Sequence, residues 1–270
     1  MAGFPLIQRR QLWVPTLAGW LVLIVCGLAM AATARYTVYP FLAPNAPAAG
    51  ARLLVVEGWL DAEELDQAIA AYRRGGYQQI VTTGGPVERR LGFTTNTDYA
   101  ELAAGYLQSH GLAGVPITAI PAPASAQNRT FLSAVMVRNW MAKQDQQHQA
   151  FDLFSGGAHA RRSRLLYRLA FDSEIEIGIL AAQPSNYDPQ RWWQTSSGAK
   201  AVLGESISWL WTVGFFRPPP PGSHPRMSTS PSQLKAAECQ RPPMPTLPTR
   251  LSCASRRRRG IPGCCRASRP

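Results

Sequence analysis

Between residues 51 and 217 the chain alternates short apolar runs with stretches of helical period, five times over, and this restricts it to a narrow class of folds. Arg52 to Val56, Gln79 to Thr83, Ile117 to Ile120, Phe151 to Phe154 and Glu174 to Leu180 read as strands. Between and after them, Ala62 to Tyr72, Thr97 to His110, Thr130 to Lys143, Ala160 to Phe171 and Ala199 to Phe215 read as helices. The first carries Leu65, Ile69 and Tyr72 on one face, and Gly111 stands where the second needs a C-cap. Strict strand-helix alternation places strands in parallel, with the helices covering both faces of the sheet. The expected fold is therefore α/β: a three-layer, Rossmann-like parallel sheet of about five strands, preceded by one transmembrane helix.

Ligands of such sheets bind beyond the carboxyl ends of the strands. Those ends gather Glu57-Gly58-Trp59, Thr82-Thr83-Gly84-Gly85, Asn128-Arg129-Thr130, the run Phe154 to Arg164, and Asn186-Tyr187-Asp188 with Arg191-Trp192-Trp193. In the run, Gly156, Gly157, His159 and Arg162 stand where a strand hands over to a helix. Helix-start N–H groups attract anions, glycines admit close approach and Arg supplies a charged fork. The candidate ligand-binding residues are Glu57, Thr83, Gly84, Gly85, Arg129, Thr130, Gly156, Gly157 and Arg162, with His159 the candidate catalytic residue.

Each has a plainer reading. His159 suits proton transfer or phosphate contact, or caps a helix. Arg162 clamps an anion or pairs with an acid such as Glu57, and Thr130 is a hydroxyl donor or a cap. Ser155 lacks the Gly-x-Ser-x-Gly elbow of a hydrolase nucleophile. Trp192 and Trp193 suit packing better than sugar stacking. Arg161, Arg164, Arg73-Arg74 and Arg89-Arg90 are expected to face solvent.

The net charge of +12 is unevenly spread. Residues 1–50 carry three basic and no acidic side chains, residues 51–217 fifteen of each, and residues 218–270 ten basic and one acidic. A neutral core argues against nucleic-acid binding there. Cys26 lies in an apolar run, and Cys239, Cys253, Cys264 and Cys265 lie in the tail, so no disulfide framework holds the core. The scattered His110, His148, His159 and His224 make no metal motif, and no cofactor is expected.

From Val14 to Ala34 no residue is charged, a length that spans a bilayer. Arg9 and Arg10 precede this anchor, with Trp13 and Trp20 near one end and Tyr36 and Tyr39 near the other. That pattern puts residues 1–13 in the cytoplasm and the core outside the inner membrane. A cleaved signal peptide is the rival reading, since Ala29-Met30-Ala31 and Ala32-Thr33-Ala34 resemble cleavage sites; the apolar run is longer than a usual signal core. Residues 35–50, rich in Pro and Ala from Tyr39-Pro40 on, are expected to form a semi-stiff linker. Beyond Arg217 twelve prolines in 53 residues and the run Arg256 to Arg259 predict disorder, either as a basic tail or as the product of a reading-frame shift.

The ordered set of Gly75-Gly76, Thr83-Gly84-Gly85, Gln127-Asn128-Arg129-Thr130 and His159-x-x-Arg162 resembles the YdcF/SanA/ElyC-like bacterial proteins, whose domain is also called domain of unknown function 218. The likeness covers roughly residues 53–216. It departs where the family carries Ser-Glu-Ala and this chain has Asp98-Tyr99-Ala100, with Glu101 nearby, and where the first strand ends in Glu57-Gly58-Trp59. The resemblance implies a single-pass inner-membrane or exported protein of envelope biogenesis, without supplying a reaction. The expected partners are the inner membrane and an anionic, phosphate-bearing envelope lipid or polysaccharide intermediate. Alternatives are a non-catalytic scaffold and a nucleotide or S-adenosylmethionine-binding domain. Against the last, no Gly-x-Gly-x-x-Gly follows the first strand.

Overall fold

The computed structural model describes residues 15–87, 97–125, 127–146, 149–171 and 175–218. The expectations for Arg9, Arg10, Trp13, Arg89-Arg90, Glu174 and residues 219–270 lie outside them. The expected α/β architecture is present. Five strands, β1 (Leu53–Glu57), β2 (Gln79–Gly84), β3 (Ile117–Pro121), β4 (Phe151–Gly156) and β5 (Ile177–Ala182), form one parallel sheet in the order β3-β2-β1-β4-β5. In register, Val55 stands beside Val81 on one side and Leu153 on the other.

The helices are α1 (Leu17–Leu42), α2 (Ala62–Gly75), α3 (Tyr99–Ser109), α4 (Arg129–Lys143), α5 (Ala160–Ala170) and α6 (Ser196–Gly214). Successive side chains of a strand point to opposite faces, and β1 serves two cores accordingly. Leu54 and Val56 pack with Leu65, Ile69 and Leu107 of α2 and α3. Leu53 and Val55 pack with Phe131, Val137, Leu166 and Tyr167 of α4 and α5. Every residue of β1 and β4 is buried, as a central parallel strand requires. The carboxyl ends of β1, β2 and β4 run past the apolar residues into Glu57, Gly84 and Gly156 because the polar groups there are buried and most are bonded inside the protein, so the extended chain continues.

α2 follows β1 after one tight loop, and its start is fixed by a capping box. Asp61 accepts from the Glu64 amide at 2.9 Å while Glu64 accepts from the Asp61 amide at 3.3 Å.

The expected linker over residues 35–50 is not one. α1 is a single helix of 26 residues, longer than the expected 14–34 segment, with a mean hydropathy of 2.2 over its most apolar window, which makes it a candidate membrane span. It continues through Pro40, whose missing N–H leaves the Tyr36 carbonyl without its helical donor. Burial offsets that loss: Tyr39 and Leu42 pack with Ala158, Trp192 and Val202. Trp192 donates its indole N–H to the Arg35 carbonyl at 3.0 Å, and Arg161 donates to the Phe41 carbonyl while its guanidinium lies over the Phe41 ring. Residues beyond α1 are tied down too. Ala46 exchanges two backbone hydrogen bonds with Ile179 of β5, and the Ala48 amide donates to the buried Asp152 at 2.7 Å. α1 is thus packed firmly on the domain, which a Pro- and Ala-rich composition does not reveal.

Candidate functional site

In the strand order the chain reverses direction between β1 and β4. That topological switch marks their carboxyl ends as the place where open parallel sheets bind ligands. Glu57 to Trp59 leave β1 on one side of it; Ser155 to His159 leave β4 on the other, through a 3₁₀ turn (Gly157–His159) that starts α5.

Two networks occupy this place, one above the other. The lower is sealed. Glu57, only 2% exposed, accepts from Ser155 Oγ at 2.5 Å and from Ser163 Oγ at 2.9 Å. Burial and the Glu57 charge push the Tyr167 phenol well up, and neither its hydroxyl nor that of Thr83 has a hydrogen-bond partner in good geometry. Glu57 and Thr83, expected to meet ligand, are therefore interior groups, and Ser155 is an interior donor. A carboxylate at the end of a central strand satisfied by two hydroxyls is a structural clamp.

The upper network reaches the surface. His159 Nδ1 lies 2.9 Å from Glu205 Oε1 and 3.0 Å from Arg162 Nη2. Arg162 holds Glu205 through two bonds, Nε to Oε2 at 2.8 Å and Nη2 to Oε1 at 3.1 Å. The acid that pairs with Arg162 is thus Glu205 of α6, not Glu57, and the guanidinium's two best donors are spent on it. The side chains of His159, Arg162 and Glu205 retain 14%, 21% and 20% exposure, so the network is accessible. Burial raises the Glu205 carboxyl, but the His159 and Arg162 contacts outweigh it and hold the group down at about 2.

This arrangement gives His159 a fixed ring and a usable nitrogen. With Nδ1–H donated to Glu205, Nε2 presents its lone pair toward Thr130 Oγ1, 3.5 Å away; with Nδ1 accepting from Arg162, Nε2 carries the proton. His159 occupies the N-cap position of α5 but makes no side-chain cap bond, so capping is not its role. Nor is Thr130 a cap: Asn128, at φ 56°, precedes α4, and Arg129 and Thr130 form its first turn. The start of α4, without a side-chain cap, stands beside the His159 ring with amides suited to an anion, while α5 continues from the 3₁₀ turn and its Ala160 amide donates to the Gly157 carbonyl.

Gly156 and Gly157 shape the floor. A side chain at Gly156 would stand 2.7 Å from the Trp59 ring, which meets His159 edge-on with centroids 5.1 Å apart. At Gly157, at φ 22°, a side chain would stand 3.2 Å from the Tyr39 hydroxyl, a buried group without a hydrogen bond. The structure thus brings together His159, Arg162, Thr130, Gly156 and Gly157, with exposed Arg129 in the same helix start as Thr130. Gly84 and Gly85 sit one strand away and join β2 to α3 and the end of β3: the Gly85 carbonyl accepts from Tyr99 and the Gly84 carbonyl from Ala122.

Other residues escaped sequence reasoning. Glu205 is one of two charged residues on a helix of 19, and an acid on so apolar a helix needs a partner; that signal was available. Glu64, pushed up to about 7 by burial and by Asp61 and Glu57 against the opposing Asp61 hydrogen bond, and Tyr187, pushed up to about 12 by burial and by Glu64 and Glu205, add an acidic rim. Arg164, expected in solvent, donates to the Ile177 carbonyl at 2.7 Å. Trp192 is buried against α1, and Trp193 stacks edge-on with Tyr36. Among the described residues no group of three His, Cys, Asp or Glu side chains gathers to hold a metal ion. The fold and site define a parallel α/β domain with a candidate binding crevice, joined rigidly to a candidate membrane helix. No protein-family model and no curated protein matches the chain.

Proposed function

We propose that this chain is a membrane-anchored factor of bacterial envelope biogenesis whose crevice between β1 and β4 binds an anionic, phosphate-bearing envelope intermediate such as a polyprenyl-phosphate-linked sugar. The observation that carries this reading is the His159 ring, fixed by Glu205 and set beside the uncapped start of α4, where Arg129 and Thr130 form the first turn. A phosphate there takes amide hydrogens from the start of α4 and a proton or hydrogen bond from Nε2. The Arg162-Glu205 pair orients the histidine. The resemblance to YdcF/SanA/ElyC-like proteins and the candidate span support an inner-membrane site with the core in the periplasm.

The test is binding of a polyprenyl phosphate to the full chain in nanodiscs, with a neutral polyprenol as control. Loss of one charge-assisted contact, about 1.5–3 kcal/mol, weakens binding on the order of ten- to a hundredfold in Arg129→Ala. Equal binding of polyprenol and its phosphate overturns the reading. Alkaline phosphatase fused after residue 217 is expected to be active; activity of a β-galactosidase fusion there would place the core in the cytoplasm. A second reading, a non-catalytic scaffold, is favoured by the neutralisation of Arg162 by Glu205, and it predicts that His159→Gln leaves the envelope phenotype of the wild type unchanged.

A further inference from the structure

We propose that α6 is a second membrane contact: its outward face lies in the interfacial layer of the same bilayer that α1 spans. The inference goes beyond the proposed ligand and rests on the reading of α1 as an anchor.

The inner face of α6 is accounted for. Val202 packs with Tyr39 and Leu42, Glu205 binds His159 and Arg162, Trp209 meets Phe41 edge-on at 4.9 Å, and Phe216, just beyond the helix, packs on Phe131. On the opposite face Leu203, Ile207, Leu210 and Trp211 are 54%, 69%, 62% and 51% exposed. The spacing of three, four and seven residues makes one continuous apolar stripe along the helix. Soluble surfaces seldom leave such a stripe bare, and one this apolar marks a contact.

The anchor says what covers it. Leu17 to Arg35 amounts to about 28 Å of helix, close to the ~30 Å of bilayer hydrocarbon. The boundary therefore falls at Arg35 and Tyr36, where the Arg35 guanidinium lies over both the Tyr36 and Trp193 rings, the amphipathic composition of a membrane interface. Six residues further, about 9 Å along the axis, Phe41 touches Trp209 of α6, which sets α6 against the headgroup layer. α1 also packs against the 3₁₀ turn Gly157–His159, so its free length departs from the carboxyl edge of the sheet, the edge that α6 overlies through Glu205. α6 packs on the last turns of α1, which brings its bare stripe close to where α1 leaves the bilayer. Lys200 on the outward face and Arg217 beyond the helix end supply the cations that headgroups favour.

The experiment uses the full chain with its native cysteines replaced by serine, in phosphatidylcholine nanodiscs carrying a doxyl quencher near the headgroup end of the acyl chain. A polarity-sensitive fluorophore is placed in turn at Leu23, Ile207, Leu210 and, as a solvent control, Leu102 of α3. The proposal predicts that the labels at Ile207 and Leu210 lose most of their fluorescence to the quencher while that at Leu102 keeps its own. Quenching at Leu23 with none at Ile207 or Leu210 overturns the proposal and leaves the anchor standing. Cross-linking between cysteines at Ile207 of two copies, with the labels unquenched, overturns it in favour of a dimer. A Leu23 label that stays in water removes the anchor and the proposal together.

Discussion

Glu205 of α6 and His159 at the start of α5 are 46 residues apart in the chain and 2.9 Å apart in space, and their contact fixes an imidazole at the carboxyl edge of the sheet. The folded carboxyl sits at about 2, below the ordinary 4.5, so its contribution to stability is complete above about pH 4.5 and is lost as the pH falls toward 2. Glu205→Gln is expected to lower stability at neutral pH by about 1–3 kcal/mol. The difference from wild type should shrink in acid. Urea unfolding midpoints at neutral pH and near pH 3 measure it, and a constant difference would contradict the pairing.

Glu64 works in the opposite sense. Its folded carboxyl titrates near 7 against 4.5 when unfolded, so the native state binds the extra proton between those values and stability falls as the pH rises through that window. The loss is on the order of 2 kcal/mol, allowing for partial solvation of the group. Glu64→Gln keeps the oxygen that completes the capping box with Asp61 and removes the titration. Its thermal midpoint should gain on that of the wild type from pH 5 to pH 8; parallel profiles would place the titration elsewhere.

Glu57 is predicted to matter for folding and not for ligand. Glu57→Ala strands the hydroxyls of Ser155 and Ser163 inside the protein and should cost about 2–4 kcal/mol, read as a lower urea midpoint. Glu57→Gln retains an acceptor for one serine and should cost less. Ligand affinity of either folded variant should equal that of the wild type.

The alternation of strands and helices made the architecture legible, because buried parallel strands read as short apolar runs: Leu53 to Val56 is apolar throughout, and Phe151 to Phe154 is broken only by Asp152, whose carboxylate is bonded by the Ala48 amide and the Tyr77 hydroxyl. His159, Arg162 and Thr130 were legible as one edge for the same reason. The identity of the acid was not. Glu57 and Glu205 are equivalent as sequence candidates for Arg162, and the choice follows from α6 folding back across the sheet edge, a tertiary event that no local pattern encodes. Tyr39 and Leu42 were hidden likewise, since an apolar helix end reads the same in lipid as against Ala158 and Trp192.

The central claim is that ligand sits between the starts of α4 and α5. Hydrogen exchange of the full chain in nanodiscs, with and without a polyprenyl phosphate, tests it most directly. The account predicts slower exchange for amides from Asn128 to Phe131 and from Gly156 to Arg162, with no change at Gln78 and Gln79 on the opposite sheet edge, and no protection in His159→Gln with Arg129→Ala. Binding that leaves both helix starts unprotected, or that survives in the double variant, would contradict it.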